Sequence, residues 1–448
     1  MECPRKTGDV EGEEMKVRAE GFAGGDRTSE HRPTEPAPDA GGDQQPRVTG
    51  RLAHLLAETH DDPSTQKLLR TAVNTLSMLS GRVASYAAAL LAALRTVPDP
   101  RKPRGRRHRL PGILAIAACA VIAGARSFVA IAEWAAAATP AGLAKLGVTG
   151  EVPSESTFRR TINKLDGNGL DLILGAWAAL REVNPKELRV IAVDGKSVRG
   201  SATGGDRCRH LLAAFTHISG LVLGQLDVAL KTNEIPMFST LLDSLELFGV
   251  LVTADALHCQ KDHAKYLVEQ RGAHYLLTVK GNQPTLRKQL AGLPWAEVPI
   301  THTKHDRGHG RVEKRTLKVV TVDDGILFPH ATQAIQVTRK IRKRNSRKWR
   351  TETVYAVTDL TADQARPDQL ATWLRGHWCI EVRLHWVRDV TFGEDLSQVR
   401  TGNGPQVMAT LRNLAINLHR LAGATNIAKA LRHHARDTKY PITLLLTS

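Results

Sequence analysis

Between residues 187 and 279 the chain alternates short apolar runs with turns and helix-period stretches, and this alternation narrows its possible folds more than any other feature. Leu188 to Val193 is an apolar run that ends on Asp194-Gly195. His210 to Ile218 and Leu221 to Leu230 have strand composition, separated by the hairpin signal Ser219-Gly220. Ile235 to Leu247 repeats its apolar residues at helical spacing, with Pro236 in the first turn. Val250 to Ala254 is a further strand-like run, ending on Asp255. His258 to Gln270 is helical, with Gly272 placed to end it, and Ala273 to Val279 is strand-like again. The order is β-β-β-α-β-α-β. Short turns make the first three strands a meander, and helical crossovers add the last two in parallel.

That order is the one a ribonuclease H-like core uses, so the expected class is α/β. Asp194 and Asp255 each end a buried strand, at the sheet edge where ligand sites gather. Two carboxylates ending adjacent strands repel unless a cation lies between them. A third acid, Glu381, is seven residues after Leu374 and three before Leu384, on the apolar side of a helix running from near Pro367 to about Val387. A carboxylate aimed into a core needs an ion pair, here with Arg375 or Arg388, or a metal. Glu394 and Asp395 are the competing choices for the third position. Hard oxygen ligands suit Mg²⁺ or Mn²⁺, and a pair of such ions suits in-line phosphoryl transfer.

The flanks set the domain plan. Residues 1–47 hold few apolar side chains and are expected to be disordered. Residues 48–182 read as an all-α N-terminal domain, with apolar helices near 111–124 and 127–138 and a short basic helix opened by Pro153-Ser154. It is either an ordinary helical bundle or a helix-turn-helix. The catalytic domain spans 187–420, with a β-rich insertion at about 285–360 built on Val312–Val322, Ala334–Arg339 and Thr351–Val357. Gly404 to Leu421 reads as an amphipathic helix, and 421–448 as a C-terminal tail.

Charge points to the partner. With 62 Lys and Arg against 45 Asp and Glu, the net charge is +17, which favours a polyanion. Residues 101–109 carry seven basic side chains held off a regular helix by Pro103 and Gly105, as a solvated linker or as phosphate contacts. We expect DNA contacts from Arg104, Arg106 and Arg107 there, and from Arg159 and Arg160 on the basic helix. The apolar stretch Gly112 to Ala125 is too short to span a bilayer, and no signal peptide is visible, so a cytoplasmic, nucleoid-associated location is expected without membrane contact. Five cysteines with no CxxC pair make no disulfide framework. His258, Cys259 and His263, or His377 with His385, lack the spacing of a structural zinc site. Trp378 and Trp386 read as packing residues rather than stacking platforms for a base.

Together these segments resemble the H-repeat-associated, ISAs-type insertion-sequence transposases of the DDE superfamily. Ile191-Ala192-Val193-Asp194-Gly195-Lys196-Ser197-Val198-Arg199-Gly200 resembles their first acidic motif, and Lys231-Thr232-Asn233-Glu234-Ile235 their K-x-N-E-I segment. Thr253-Ala254-Asp255 through Gln260-Lys261 resembles D-A-x-x-x-Q-K, and Tyr275 through Gln283 resembles Y-L-L-x-V-K-G-N-Q. Gly308-His309-Gly310-Arg311 is similar to G-H-G-R, and His377-Trp378-Cys379-Ile380-Glu381 to the third acidic motif. The resemblance covers about 95–420. It implies Asp194, Asp255 and Glu381 as metal ligands, DNA ends as substrate, and Lys196, Lys280, Arg311, His377 and Arg388 along the DNA. Related transposases carry Tyr, Arg and Lys at minus seven, minus four and plus seven from the final Glu. Here Leu374, His377 and Arg388 stand there, so only the last keeps a fixed cation. A homodimer is expected, because two element ends must be held together. The rival readings are a metal-dependent nuclease that only hydrolyses and a non-catalytic DNA-binding remnant.

Overall fold

The computed structural model describes residues 86–448 except 183–187, 203–207, 229–232, 309, 323–324 and 448. The expected disordered segment 1–47, the helices expected before residue 86, Lys231, Thr232 and His309 lie outside the described residues.

Six helices come first: α1 (Tyr86–Thr96), α2 (Leu110–Ile122), α3 (Phe128–Ala137), α4 (Pro140–Lys145), α5 (Glu155–Ile162) and α6 (Gly167–Ala179). Their starts are written in the sequence. Ser127, Thr139 and Asp166 are N-caps whose side chains accept from Ala130, Gly142 and Gly169 amides. Helix α2 is apolar all round and accordingly buried all round.

The sheet follows. β1 (Val190–Val198), β2 (Arg209–Thr216) and β3 (Val222–Val228) form the meander, then α7 (Glu234–Asp243) leads to β4 (Leu251–Ala254). Helix α8 (Lys261–Lys265), widened into a π-helical turn at Tyr266–Gln270, leads to β5 (His274–Val279). Gly272 ends that turn at φ +56. β4 lies parallel to both β1 and β5, as the crossovers require. After α9 (Pro284–Ala291), strands β6 (His302–Gly308), β7 (Arg311–Thr321), β8 (Gln333–Lys343) and β9 (Arg350–Thr358) continue the same sheet. The nine strands run β3-β2-β1-β4-β5-β9-β8-β7-β6.

Side-chain alternation puts a separate core on each face. Ile191, Val193, Val252, Ala254, Tyr275 and Leu277 join the large cluster with α2, α6 and α11 (Gly404–Leu421). Val190, Leu251 and Leu276 face a smaller one completed by Leu370 of α10 (Pro367–Gly376). Burial on both faces explains why β4 and β5 read as continuous apolar runs.

Two readings are corrected here. Helix α11 is buried along nearly its whole length, not amphipathic, because its polar side chains have internal partners. Asn417, for example, pairs with both the amide and the carbonyl of Val222 (2.8 and 2.9 Å), covering the edge strand β3. Residues 421–448 are not a tail. They form α12 (Ile427–His434) and α13 (Lys439–Thr447), whose Leu431, Ile442, Leu444 and Leu445 enter the large core.

Candidate active site

The parallel register between β1 and β4 ends at Val193 and Ala254, so Asp194 and Asp255 follow on neighbouring strands. Asp194 does not end its strand, as the sequence suggested. β1 runs on to Val198 because Asp194 through Val198 stay paired with Ala213 through Arg209 of β2. Asp255 caps a tight turn, its Oδ1 accepting from the Leu257 amide at 2.8 Å. The Asn282 amide group donates to the Ala256 carbonyl, tying the turn after β5 to this one.

Glu381 lies past α10, where the chain widens into π-helical turns at Glu381–His385 and Val387–Thr391. Ile380 and Leu384 are buried and Glu381 is exposed, so its expected place in the core is corrected. The alternative ion pairs do not form either: Arg375 binds Asp306 at 2.5 Å, and Arg388 binds Glu394. Such π-bulges are frequent at functional sites.

The charges of these acids act on one another. Burial, then the neighbouring charges of Asp255, Glu381 and Glu234, push the Asp194 carboxyl up to about 7. Glu234, at the start of α7, had no role assigned from sequence. Its carboxylate accepts from His210 of β2 and, at 3.1 Å, from His258 in the turn after Asp255. Burial raises its pKa, but those hydrogen bonds outweigh burial and hold it near 2. Gly195 makes room for it, since a Cβ there would overlap the Glu234 carboxylate. His385 Nδ1 lies 3.4 Å from Asp194 Oδ2, and burial keeps the imidazole neutral by lowering its pKa to about 3. Tertiary contacts give Glu234, His210, His258 and His385 these partners; in the sequence Glu234 lies in the K-x-N-E-I segment and His258 in D-A-x-x-x-Q-K, with no sign that they meet.

Among the described residues, no group of three or more His, Cys, Asp and Glu side chains converges tightly enough to enclose a metal ion as it stands. The donor chemistry nonetheless fits a hard dication. The charges of Asp255, Glu381 and Glu234 all raise the Asp194 pKa, a repulsion that a cation would relieve.

Several expected DNA contacts are elsewhere. Lys196 is buried, its Nζ 2.5 Å from Asp389 and 3.4 Å from Glu394. Arg388 is fully buried, gripping Glu394 with two nitrogens and donating to Gln225 at 2.7 Å. His377 is buried behind β4 against Thr253 at 3.2 Å, and burial lowers its pKa to about 4. A buried, committed or neutral group offers no charge to a phosphate, so these three assignments are corrected. Glu394, the competing third acid, is 0 % exposed and bound by Arg388 and Arg412, which hold it near 2 against the opposing effect of burial. Arg104, Arg106, Arg107, Arg159, Arg160, Lys280 and Arg311 are exposed. Arg107 and Arg159 pair there with Glu151 and Glu155.

Trp378 and Trp386 are also corrected. Both are more than half exposed, as are Val382 and Val390, and the four recur every fourth residue along the turns that carry Glu381. No helix among the described residues is long and apolar enough to cross a membrane.

Comparison with known proteins agrees with the motifs. The model of the family described as "Transposase DDE domain" matches residues 185–418, and one described as "DDE_Tnp_1-associated" matches 91–178. "Putative transposase YncI" of Escherichia coli O157:H7 is 32% identical over 355 residues, covering 74% of this chain and 87% of that protein. "H repeat-associated putative transposase YhhI" of Escherichia coli strain K12 is 29% identical over 384 residues, covering 80% and 98%. Among solved structures, the piggyBac transposase synaptic complex with hairpin DNA matches at a TM-score of 0.41 and 11% identity over 80% of each chain, too distant to support an argument. The chain belongs to the DDE transposase family, alongside the H repeat-associated proteins.

Proposed function

We propose that the chain is an insertion-sequence transposase that binds the ends of its element and cuts and rejoins DNA with divalent metal held by Asp194, Asp255 and Glu381. The observation that carries this reading is the placement of Asp194 and Asp255 just past the end of the parallel β1–β4 register, where burial and the surrounding charges push the Asp194 carboxyl up to about 7. Unbalanced negative charge at the end of a parallel strand pair is what a cation site looks like before its cation binds. When bound there, Mg²⁺ or Mn²⁺, two ions on this reading, makes the attacking water or 3′-hydroxyl more acidic and stabilises the leaving oxygen.

The chain's own groups then have distinct tasks. Asp194, Asp255 and Glu381 supply oxygens from two strands and a helix. Glu234, clamped by His210 and His258, fixes the turn that carries Asp255, and His385 keeps a neutral imidazole against Asp194. Exposed Lys280 follows β5 close to this region and suits a phosphate, as do Arg104, Arg106, Arg107, Arg159, Arg160 and Arg311. The exposed faces of Trp378 and Trp386 beside Glu381 suit stacking on unpaired bases. The order β3-β2-β1-β4-β5 supports reading this part as a ribonuclease H-like core, with β6–β9 as its β-rich insertion and the helices before it as the N-terminal domain. Two element ends call for a homodimer.

The test is incubation with labelled DNA carrying the element's own ends, in Mg²⁺ or EDTA, beside Glu381→Ala. Metal-dependent cleavage and joining, lost in the variant while DNA binding persists, is the expected result. Cleavage without joining points to a plain nuclease. Binding with no chemistry in either condition points to a non-catalytic DNA-binding protein.

A further inference from the structure

Residues 302–352 hold fourteen Lys and Arg against five Asp and Glu, so this stretch of 51 residues carries about half of the chain's net charge of +17. It folds as strands β6 to β9, and the register fixes where it points. The last pair between β5 and β9 is Val279 with Tyr355, so β9 from Arg350 to Val354 extends beyond the C-terminal end of β5. β8 and β7 extend with it, to Lys343 opposite Arg311. β4 and β5 are parallel, so this arm rises past the same sheet edge that carries Asp255 and Lys280. Five residues of strand add about 17 Å of reach.

Like charges stand directly opposite one another along the arm: Arg311 with Lys343, Lys314 with Lys340, and Arg315 with Arg339. Such pairs are destabilising. Among the described residues only the last is relieved, by Glu313, which binds both Arg315 and Arg339. Asp306 is taken by Arg375. At the tip, exposed Arg311, Lys343, Arg344, Arg347 and Lys348 have no ion pair among the described residues. The tip is nevertheless built. The Arg344 amide donates to the Gly310 carbonyl at 2.7 Å, joining the two hairpin ends, and Arg342 lies over the ring of Trp349 at 5.1 Å. Guarding an open sheet edge does not account for the charge on β7 and β8, because both are interior strands paired on either side.

We infer that the tip of this arm, centred on Arg344, Arg347 and Lys348, is a second DNA-binding surface that grips the phosphate backbone of duplex flanking the strand held at the carboxylates. The inference rests on the proposed function. The chemistry is sequence-independent: each phosphate neutralised releases counterions, and a fixed row of cations whose mutual repulsion has no internal relief gains most from a polyanion.

The test measures binding of the full chain to a 30-base-pair mixed-sequence duplex, about the size such a site needs, by fluorescence anisotropy across a salt series. The triple variant Arg344→Ala/Arg347→Ala/Lys348→Ala is compared with Arg344→Lys/Arg347→Lys, which keeps the charge. The triple variant is expected to flatten the slope of log K against log salt by about two to three and to raise Kd about tenfold or more, with the wild-type thermal midpoint. The charge-keeping variant is expected to retain the wild-type slope. A triple variant that binds like wild type overturns the arm surface and leaves the transposase reading standing. Wild-type protein that binds no duplex at any salt overturns both.

Discussion

Asp194 faces two opposed demands, since it must be buried to be held in place and ionised to hold a cation. Its carboxyl sits at about 7 in the folded chain against 3.8 for the free group. Between those values the folded chain keeps a proton that the unfolded chain has released, so this group's contribution to stability falls as pH rises through the window. Relative to Asp194→Asn, the metal-free wild type is therefore predicted to lose stability between about pH 4 and pH 7, by a few kcal/mol at most. Thermal midpoints of the two proteins across that range check this; parallel curves would refute it. Glu381 and Glu394 make a second contrast. Glu394→Ala leaves Arg388 and Arg412 buried and unpaired, which is predicted to cost about 3–5 kcal/mol in a denaturant titration. Glu381→Ala removes an exposed side chain and is predicted to change stability by under about 0.5 kcal/mol while abolishing metal-dependent cleavage. The three proposed ligands stand out in the sequence because each sits in a motif, Asp194 within β1, Asp255 just past β4 and Glu381 past α10. Glu234 lay inside such a motif too, but its contacts are 24 residues away in both directions, and spacing gives no sign of them. Likewise nothing local shows that Lys196 and Arg388 meet Glu394 in the interior.

At the scale of elements, strands β1 to β5 were readable because burial on one or both faces leaves an apolar signature. β6, His302–Gly308, has almost none, since it is an exposed edge strand, and the sequence did not betray it. The helix of Glu381 was readable in extent but not in phase: the buried positions are Leu370, His377, Ile380 and Leu384, and Leu374, which set the expected face, is only half-buried, so Glu381 seven residues on is exposed. Helix-on-sheet packing can be tested at α6. Gly175 lets that helix approach β3 so closely that a Cβ would overlap the Leu223 carbonyl oxygen. Gly175→Ala is predicted to destabilise the protein by about 1–3 kcal/mol, read from the denaturation midpoint, despite the higher helix propensity of alanine. An unchanged or raised midpoint would mean the approach is looser than described.

At the scale of the molecule, the charges are sorted. Acids lie at the C-terminal edge of β4 and on the turns of Glu381, and exposed Lys and Arg lie on the basic segment after α1, on α5 and on the β6–β9 arm. On the proposed function, grip on DNA and chemistry on DNA are therefore separable. Chelating divalent ions with EDTA is predicted to abolish strand cleavage while leaving DNA affinity within about twofold, since the proposed contacts are Lys and Arg side chains whose strength follows monovalent salt. The reading that carboxylates repelling across a strand pair form a cation site is tested most directly by titrating Mn²⁺ into the DNA-free protein and following free Mn²⁺ by electron paramagnetic resonance at pH 6 and pH 8. Mn²⁺ is expected to bind more tightly at pH 8, where Asp194 is ionised, and that binding is expected to be lost in Asp194→Asn. Equal Mn²⁺ binding by wild type and Asp194→Asn at both pH values would contradict that reading.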